Sequence, residues 1–270
     1  MHVTFCGTGG GPFTSERASS GIILQHAGHT VMLDCGPGSV RGALQAGISP
    51  RQIEAVLLSH VHPDHVIDLA ALVFQQVFFG WSLPIVYGPP GTAGVASAAT
   101  GFIAATAAPR PAALASTIEI AGSDERQVCG FTVRSEETPH APDVIAAVRR
   151  VSIDGKTVVY TGDTQPNPGT ITPLADGVDL LVHECYSEER LQQWAATMPA
   201  PAGERVYKVI STTHTEVLQA AAIARDAGVR RLTLTHLGPW GEDTAALHAK
   251  AASVFPGEIV VAHDGLSLAV

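Results

Sequence analysis

At 270 residues, 46% apolar and only 15% charged, the chain is long enough to bury a sizeable core. A net charge of −9, three lysines and no basic run beyond the pairs Arg149-Arg150 and Arg230-Arg231 argue against a surface that grips a long polyanion, short of a patch assembled by folding. No apolar stretch is long enough for a bilayer, MHVTFCGTGGG lacks the start of an export signal, and Cys6, Cys35, Cys129 and Cys185 form no C-x-x-C pair; the expectation is a soluble cytoplasmic protein with neither a disulfide framework nor a thiolate zinc site.

Short apolar runs alternating with Ala-rich stretches predict an α/β architecture. Strands are expected over residues 2–6, 20–25, 30–34, 55–59 and 85–87, with helices over 41–46, 64–79 and 94–105. Further on, strands are expected over 118–120, 131–136, 144–152, 157–161, 180–183, 231–235 and 258–262, and helices over 187–196, 215–227 and 245–254. The Ala-rich stretch 94–116 reads as a packed helix with a mobile end, because apolar residues continue through it. No charge run or Pro/Ser tract divides the chain, so residues 1–270 are read as one domain of two sheet-and-helix halves.

The stretch SHVHPDH at 59–65 follows an apolar run and places three imidazoles and a carboxylate together. On an extended segment, His60 and His62 point to one side, and Pro63 favours that extension in the residue before it. Asp64 and His65 fall where the chain turns into a helix and can face a second point. A lone histidine would be read as a local cap; this cluster is read as a metal site. His140 in ETPHAP, Asp163 in YTGDT and His236 in LTHL each lie where a strand gives way to a loop, the usual place for a site in an open α/β sheet.

With these motifs in place, the chain resembles the metallo-β-lactamase superfamily, and within it the ribonuclease Z-like branch. FCGTGGG, LDCGPGSVRGALQAGI, HEC at 183–185, the interval from His214 to His236 and AHDGLSL also resemble that branch. The resemblance implies a four-layer αβ/βα sandwich, two mixed sheets flanked by helices. It implies one metal held by His60, His62 and His140, a second held by Asp64, His65 and His236, and Asp163 bridging them. Imidazole and carboxylate ligands suit two Zn²⁺, with Mn²⁺ or Fe as alternatives. Asp34 is expected to buttress the cluster by accepting a histidine N–H, or else simply to open the DCGPG turn.

The candidate catalytic residues are Asp64, His214 and Glu184. His214 resembles the extra histidine of the branch, read as proton donor or oxyanion stabiliser with Glu184 orienting it; His183 and His263 are read as structural. The expected activity is that of a dinuclear metal-dependent hydrolase. It would act on a small or cyclic phosphodiester through a hydroxide shared by the metals. An esterase, lactonase or arylsulfatase on the same site is the alternative, ahead of a tRNA 3'-processing endonuclease or a non-catalytic metal-binding sensor. Ribonuclease Z enzymes carry a long Gly/Pro-rich tRNA-clamping arm in the interval between His140 and Asp163, and here that interval is too short for it. A homodimer is common in the branch. The loops 9–15, 63–68, 139–143, 165–169 and 238–242 should line the pocket, with Trp240 as an aromatic wall. Core packing or a dimer contact is preferred for the FFGW segment 78–81. The insertion 187–213 is either a lid over a small substrate or a surface excursion.

Overall fold

The computed structural model describes residues 1–106, 116–241 and 243–270. Its first sheet contains β1 (His2–Gly7), β2 (Gly21–His26), β3 (His29–Leu33), β4 (Ala55–Leu57), β5 (Ile85–Gly88), β6 (Thr117–Glu119) and, from the far end of the chain, β14 (Ser267–Ala269). Their order is β14-β1-β2-β3-β4-β5-β6, antiparallel as far as β3 and parallel from there to β6. The second sheet contains β7 (Asp124–Val128), β8 (Phe131–Thr138), β9 (Ala146–Ile153), β10 (Lys156–Tyr160), β11 (Leu180–Glu184), β12 (Arg231–Thr235) and β13 (Glu258–Val261). It runs β13-β12-β11-β10-β9-β8-β7, parallel over the first four and antiparallel over the rest.

Two-residue alternation along the strands divides the core into three layers. Leu24, Leu33 and Leu57 face Val133, Val158 and Val182 between the sheets. Ile23, Met32 and Val56 turn the other way, against α1 (Ser39–Gln45), α3 (Leu69–Phe78) and α4 (Thr92–Thr106). Val159, Leu181 and Leu232 pack against α5 (Pro168–Leu174), α8 (Val217–Asp226) and α9 (Thr244–Ala252). The expected four-layer sandwich of two mixed sheets is present.

Several local expectations are corrected. The helix expected over 64–79 is two, α2 (Pro63–Val66) and α3, and the break places Asp68 where its carboxylate accepts the Val40 N–H at 3.1 Å. Strand β7 escaped because DERQV is polar and half exposed along its length, and α5 because its segment is proline-rich. The insertion 187–213 is a pair of helices in contact, α6 (Glu188–Ala195) and α7 (Ala202–Thr213), rather than one helix and a loop. The core-packing reading of FFGW is overturned: Phe78 and Phe79 are 58% and 55% exposed, and Phe79 stacks on Trp81 rather than entering the core. The expected continuation of α4 towards 116 lies largely outside the described residues.

Candidate metal centre

The histidine motif grows out of β4 at the end of the first sheet. Two residues beyond β4, Ser59 donates its N–H to Asp34 Oδ1 at 2.6 Å and its hydroxyl to Asp34 Oδ2 at 2.8 Å. Asp34 is wholly buried and held at φ 55, a left-handed turn that few non-glycine residues adopt. Gly162 at φ 56 does the corresponding work opposite: a Cβ there would lie 2.4 Å from that of Ser59. Glycine thus lets the YTGD turn of the second sheet close onto the motif and bring Asp163 to it.

Two sets of ligand atoms converge. His60 Nε2 lies 3.0 Å from His62 Nδ1, His140 Nε2 lies 3.2 Å from the same Nδ1, and both Nε2 atoms are 3.8 Å from Asp163 Oδ2. In the other set, His65 Nε2 and His236 Nε2 are 3.2 Å apart. They lie 3.3 and 3.2 Å from Asp163 Oδ1, and 3.5 and 3.4 Å from Asp64 Oδ2. Tetrahedral ligands at zinc bond lengths are separated by about 3.3–3.4 Å. Each set could therefore hold one divalent ion, with Asp163 offering one oxygen to each. All seven candidate ligands named from sequence fall in these two sets.

The hydrogen bonds around the sets favour cation binding. The outer nitrogens of three imidazoles are engaged: His65 Nδ1 donates to Asp34 Oδ2 at 2.7 Å, His140 Nδ1 to the Thr213 carbonyl at 2.8 Å, and His60 Nδ1 to Ser59 Oγ at 3.0 Å. Each bond leaves the inward nitrogen with a lone pair, as in many metal-binding histidines. Burial pushes His60 well below the ordinary imidazole range and His140 down to about 4, so both are neutral. Burial would also lower His65, but the carboxylates of Asp163, Asp64 and Asp34 outweigh it and raise that group. Asp163 Oδ1 is buried without a hydrogen bond of good geometry. The neutral nitrogens of His60 and His140, together with the buried carboxylates, make a pocket that accepts positive charge.

Glu184 ends β11 and His214 follows α7. Glu184 Oε1 accepts the Thr164 N–H at 2.7 Å, and its Oε2 accepts His214 Nδ1–H at 2.8 Å. Burial works against the charge on His214, but Glu184 more than offsets it and lifts the imidazole to about 9. Glu184, His214 and His236 also lie near enough together to suggest a third ion. Both carboxylate oxygens of Glu184 are already used, so the pair is better described as a hydrogen-bonded dyad. His183, buried with Nδ1 on the Glu184 carbonyl, and exposed His263 stand apart from both metal sets.

A narrow slot beside the dyad is lined by Gly10, Gly11, Tyr186, Ile210, His236 and Trp240. The expected loops 9–15 and 238–241 thus reach the site, and Trp240 forms a wall, while residue 242 lies outside the described residues. Ile210 and Tyr186 were not anticipated; their only sequence signal was proximity to His214 and Glu184. Gly10 packs so closely that an added Cβ would sit 2.6 Å from the His236 ring. Gly10→Ala is therefore expected to displace His236 and lower kcat/KM by roughly 10²-fold with little change in the melting temperature. Steady-state kinetics beside thermal denaturation would check this.

A family model described as "Beta-lactamase superfamily domain" matches residues 29–237. The chain is 31% identical over 281 residues to the ribonuclease Z of Mycobacterium bovis (strain BCG / Pasteur 1173P2), covering 98% of this chain and 96% of that one. Among solved structures it is similar to the metallo-β-lactamase fold protein YhfI from Bacillus subtilis, with TM-score 0.76, 25% identity, and 99% and 98% of the two chains covered. It is also similar in fold to the short form of human tRNase Z, with TM-score 0.72, 20% identity, and 100% and 99% covered.

Proposed function

We propose, since this chain belongs to the ribonuclease Z-like branch of the metallo-β-lactamase superfamily and is a metal-dependent hydrolase, that it is a two-metal phosphodiesterase acting on small or cyclic phosphodiesters. His60, His62 and His140 would hold one ion, Asp64, His65 and His236 the other, and Asp163 would serve both. Zinc is the preferred metal, with Mn²⁺ or Fe as alternatives. The observation that carries this reading is the sharing of one buried carboxylate by two four-residue sets of ligand atoms.

Two divalent ions bound there would supply a water-derived nucleophile at neutral pH and stabilise negative charge on the substrate. The protein's own groups supply the rest. Asp34, Ser59 and the Thr213 carbonyl fix the imidazoles in the ligating tautomer. His214, held by Glu184 and protonated near neutrality, donates to the leaving-group oxygen. Ile210 and Trp240 narrow the approach.

A small substrate is supported by the acidic net charge and by the short connection from β8 to β9, which carries no arm. The similarity to a ribonuclease Z over nearly the whole chain favours RNA cleavage as a second reading. A panel with the zinc-loaded protein separates these. Bis(p-nitrophenyl) phosphate and a cyclic nucleotide should be turned over, with p-nitrophenyl acetate, p-nitrophenyl sulfate, a lactone and a precursor tRNA much slower. Turnover of the carboxylic ester without the phosphodiester would reject the phosphorus assignment; efficient tRNA cleavage would reject the small-substrate one.

A further inference from the structure

We propose that Arg149 is a positioning residue for the metal-ligand segment, clamping from the opposite sheet the backbone from which His60 and His62 extend. The proposal rests on the two-metal reading above. Arg149 lies on β9 and is wholly buried between the sheets. One guanidinium nitrogen, Nη2, donates to the Leu58 carbonyl at 2.6 Å, Nη1 donates to Ser135 Oγ, and the group lies 4.9 Å from the centre of the Tyr87 ring. Among the described residues it forms no ion pair. A charge buried without an ion pair is costly, and an apolar side chain of similar volume would suit the surrounding core better.

The backbone explains why a donor is needed there. Strands β4 and β5 are parallel, with Leu57 opposite Tyr87, and the ladder runs through Ile85 N–H to Glu54 O and Leu58 N–H to Tyr87 O. Its next rung would be a donation from residue 89 to the Leu58 carbonyl. Residue 89 is proline and has no N–H. The Leu58 carbonyl is buried and would lack a partner, which is costly to leave unmade; Arg149 supplies it. The N–H of Ser59 goes to Asp34, and the Ser59 carbonyl accepts the Ala147 N–H at 2.9 Å. Every backbone polar group of the two residues before His60 is therefore engaged, and two of the four are held by β9. This is also the seam where Asp163 and His140, carried by the second sheet, must meet His60 and His62.

The test measures zinc affinity by competition with a chromogenic chelator, the absorption spectrum of the cobalt-substituted protein, and kcat and KM on bis(p-nitrophenyl) phosphate. In Arg149→Met, one of the two ions should be held roughly tenfold or more weakly, by analogy with lost outer hydrogen bonds at metal sites. The cobalt bands should shift, and kcat should fall with KM little changed. Arg149→Lys, which keeps a donor, should recover part of the loss. Pro89→Ala in the Arg149→Met background should recover part by restoring the ladder N–H. Wild-type zinc affinity and kcat in Arg149→Met would overturn the proposal. So would a loss that neither Lys at 149 nor Pro89→Ala reduces. If Arg149→Met does not fold, wild-type affinity and spectrum in Ser135→Ala, which removes the second anchor of the guanidinium, would overturn it instead. Metal stoichiometry of the wild-type chain judges the two-metal reading separately.

Discussion

Asp163→Asn is expected to leave the protein folded, to lower bound metal below two ions per chain and to cut phosphodiester turnover about 10³-fold, since a Lewis-acid site supplies several kcal/mol and about 1.4 kcal/mol is a factor of ten. The geometry makes this carboxylate the group common to both sets. Its oxygens lie within 3.2–3.8 Å of candidate ligand nitrogens on His236, His65, His60 and His140. Asparagine keeps the shape and one carbonyl oxygen but removes the negative charge that offsets two cations. Burial alone would raise the Asp163 carboxyl, yet His236 and His65 hold it well below the ordinary range. Metal analysis on the purified protein, with a thermal melt as the control for folding, decides the point. Two ions per chain with turnover near wild type would remove Asp163 from its assigned place. Because the histidines must be unprotonated to bind metal, the wild type should also release its ions as the medium is acidified.

The second large effect is expected from His214→Ala, and its size should depend on the leaving group. For an alkyl leaving group that needs a proton, kcat should fall about 10²–10⁴-fold; for p-nitrophenolate, which needs little help, the fall should be much smaller. The Glu184 carboxylate 2.8 Å from Nδ1 keeps the imidazole protonated near neutrality. The sign of the pH effect follows from that: the acid is present at low and neutral pH and is lost as pH rises through the His214 pKa. Wild-type kcat on the poor substrate should therefore decline on the alkaline side, and that limb should vanish in His214→Ala. Glu184→Gln should shift the limb to lower pH. Equal losses on good and poor leaving groups would show that His214 serves the architecture of the site rather than proton transfer.

Much of the site was legible in sequence because its chemistry is concentrated. SHVHPDH carries four candidate ligands on one strand-to-helix turn, and His140, Asp163 and His236 each follow a segment whose apolar or alternating pattern reads as a strand. Side-chain alternation likewise made the two sheet-and-helix halves visible. The failures have physical causes too. Strand β7 is polar because one face meets solvent, and α5 begins among prolines, so neither carries the apolar period that marks a buried element. FFGW reads as core by composition, but its position at the exposed end of α3 leaves its rings packing mostly on one another.

By itself, then, the sequence determined which side chains are available to bind metal and that they cluster where strands give way to a loop or a helix, since both follow from residue type and local periodicity. Their division into two sets around Asp163, implied by the family resemblance, depends on two sheets meeting at one seam, and that meeting is visible only in the tertiary structure. It alone revealed the supports: the Thr213 carbonyl on His140 and Arg149 answering the carbonyl that Pro89 cannot. Those supports are backbone atoms and a buried cation far away in the chain. A carbonyl has no residue identity, and a missing N–H matters only once its neighbour across the sheet is known.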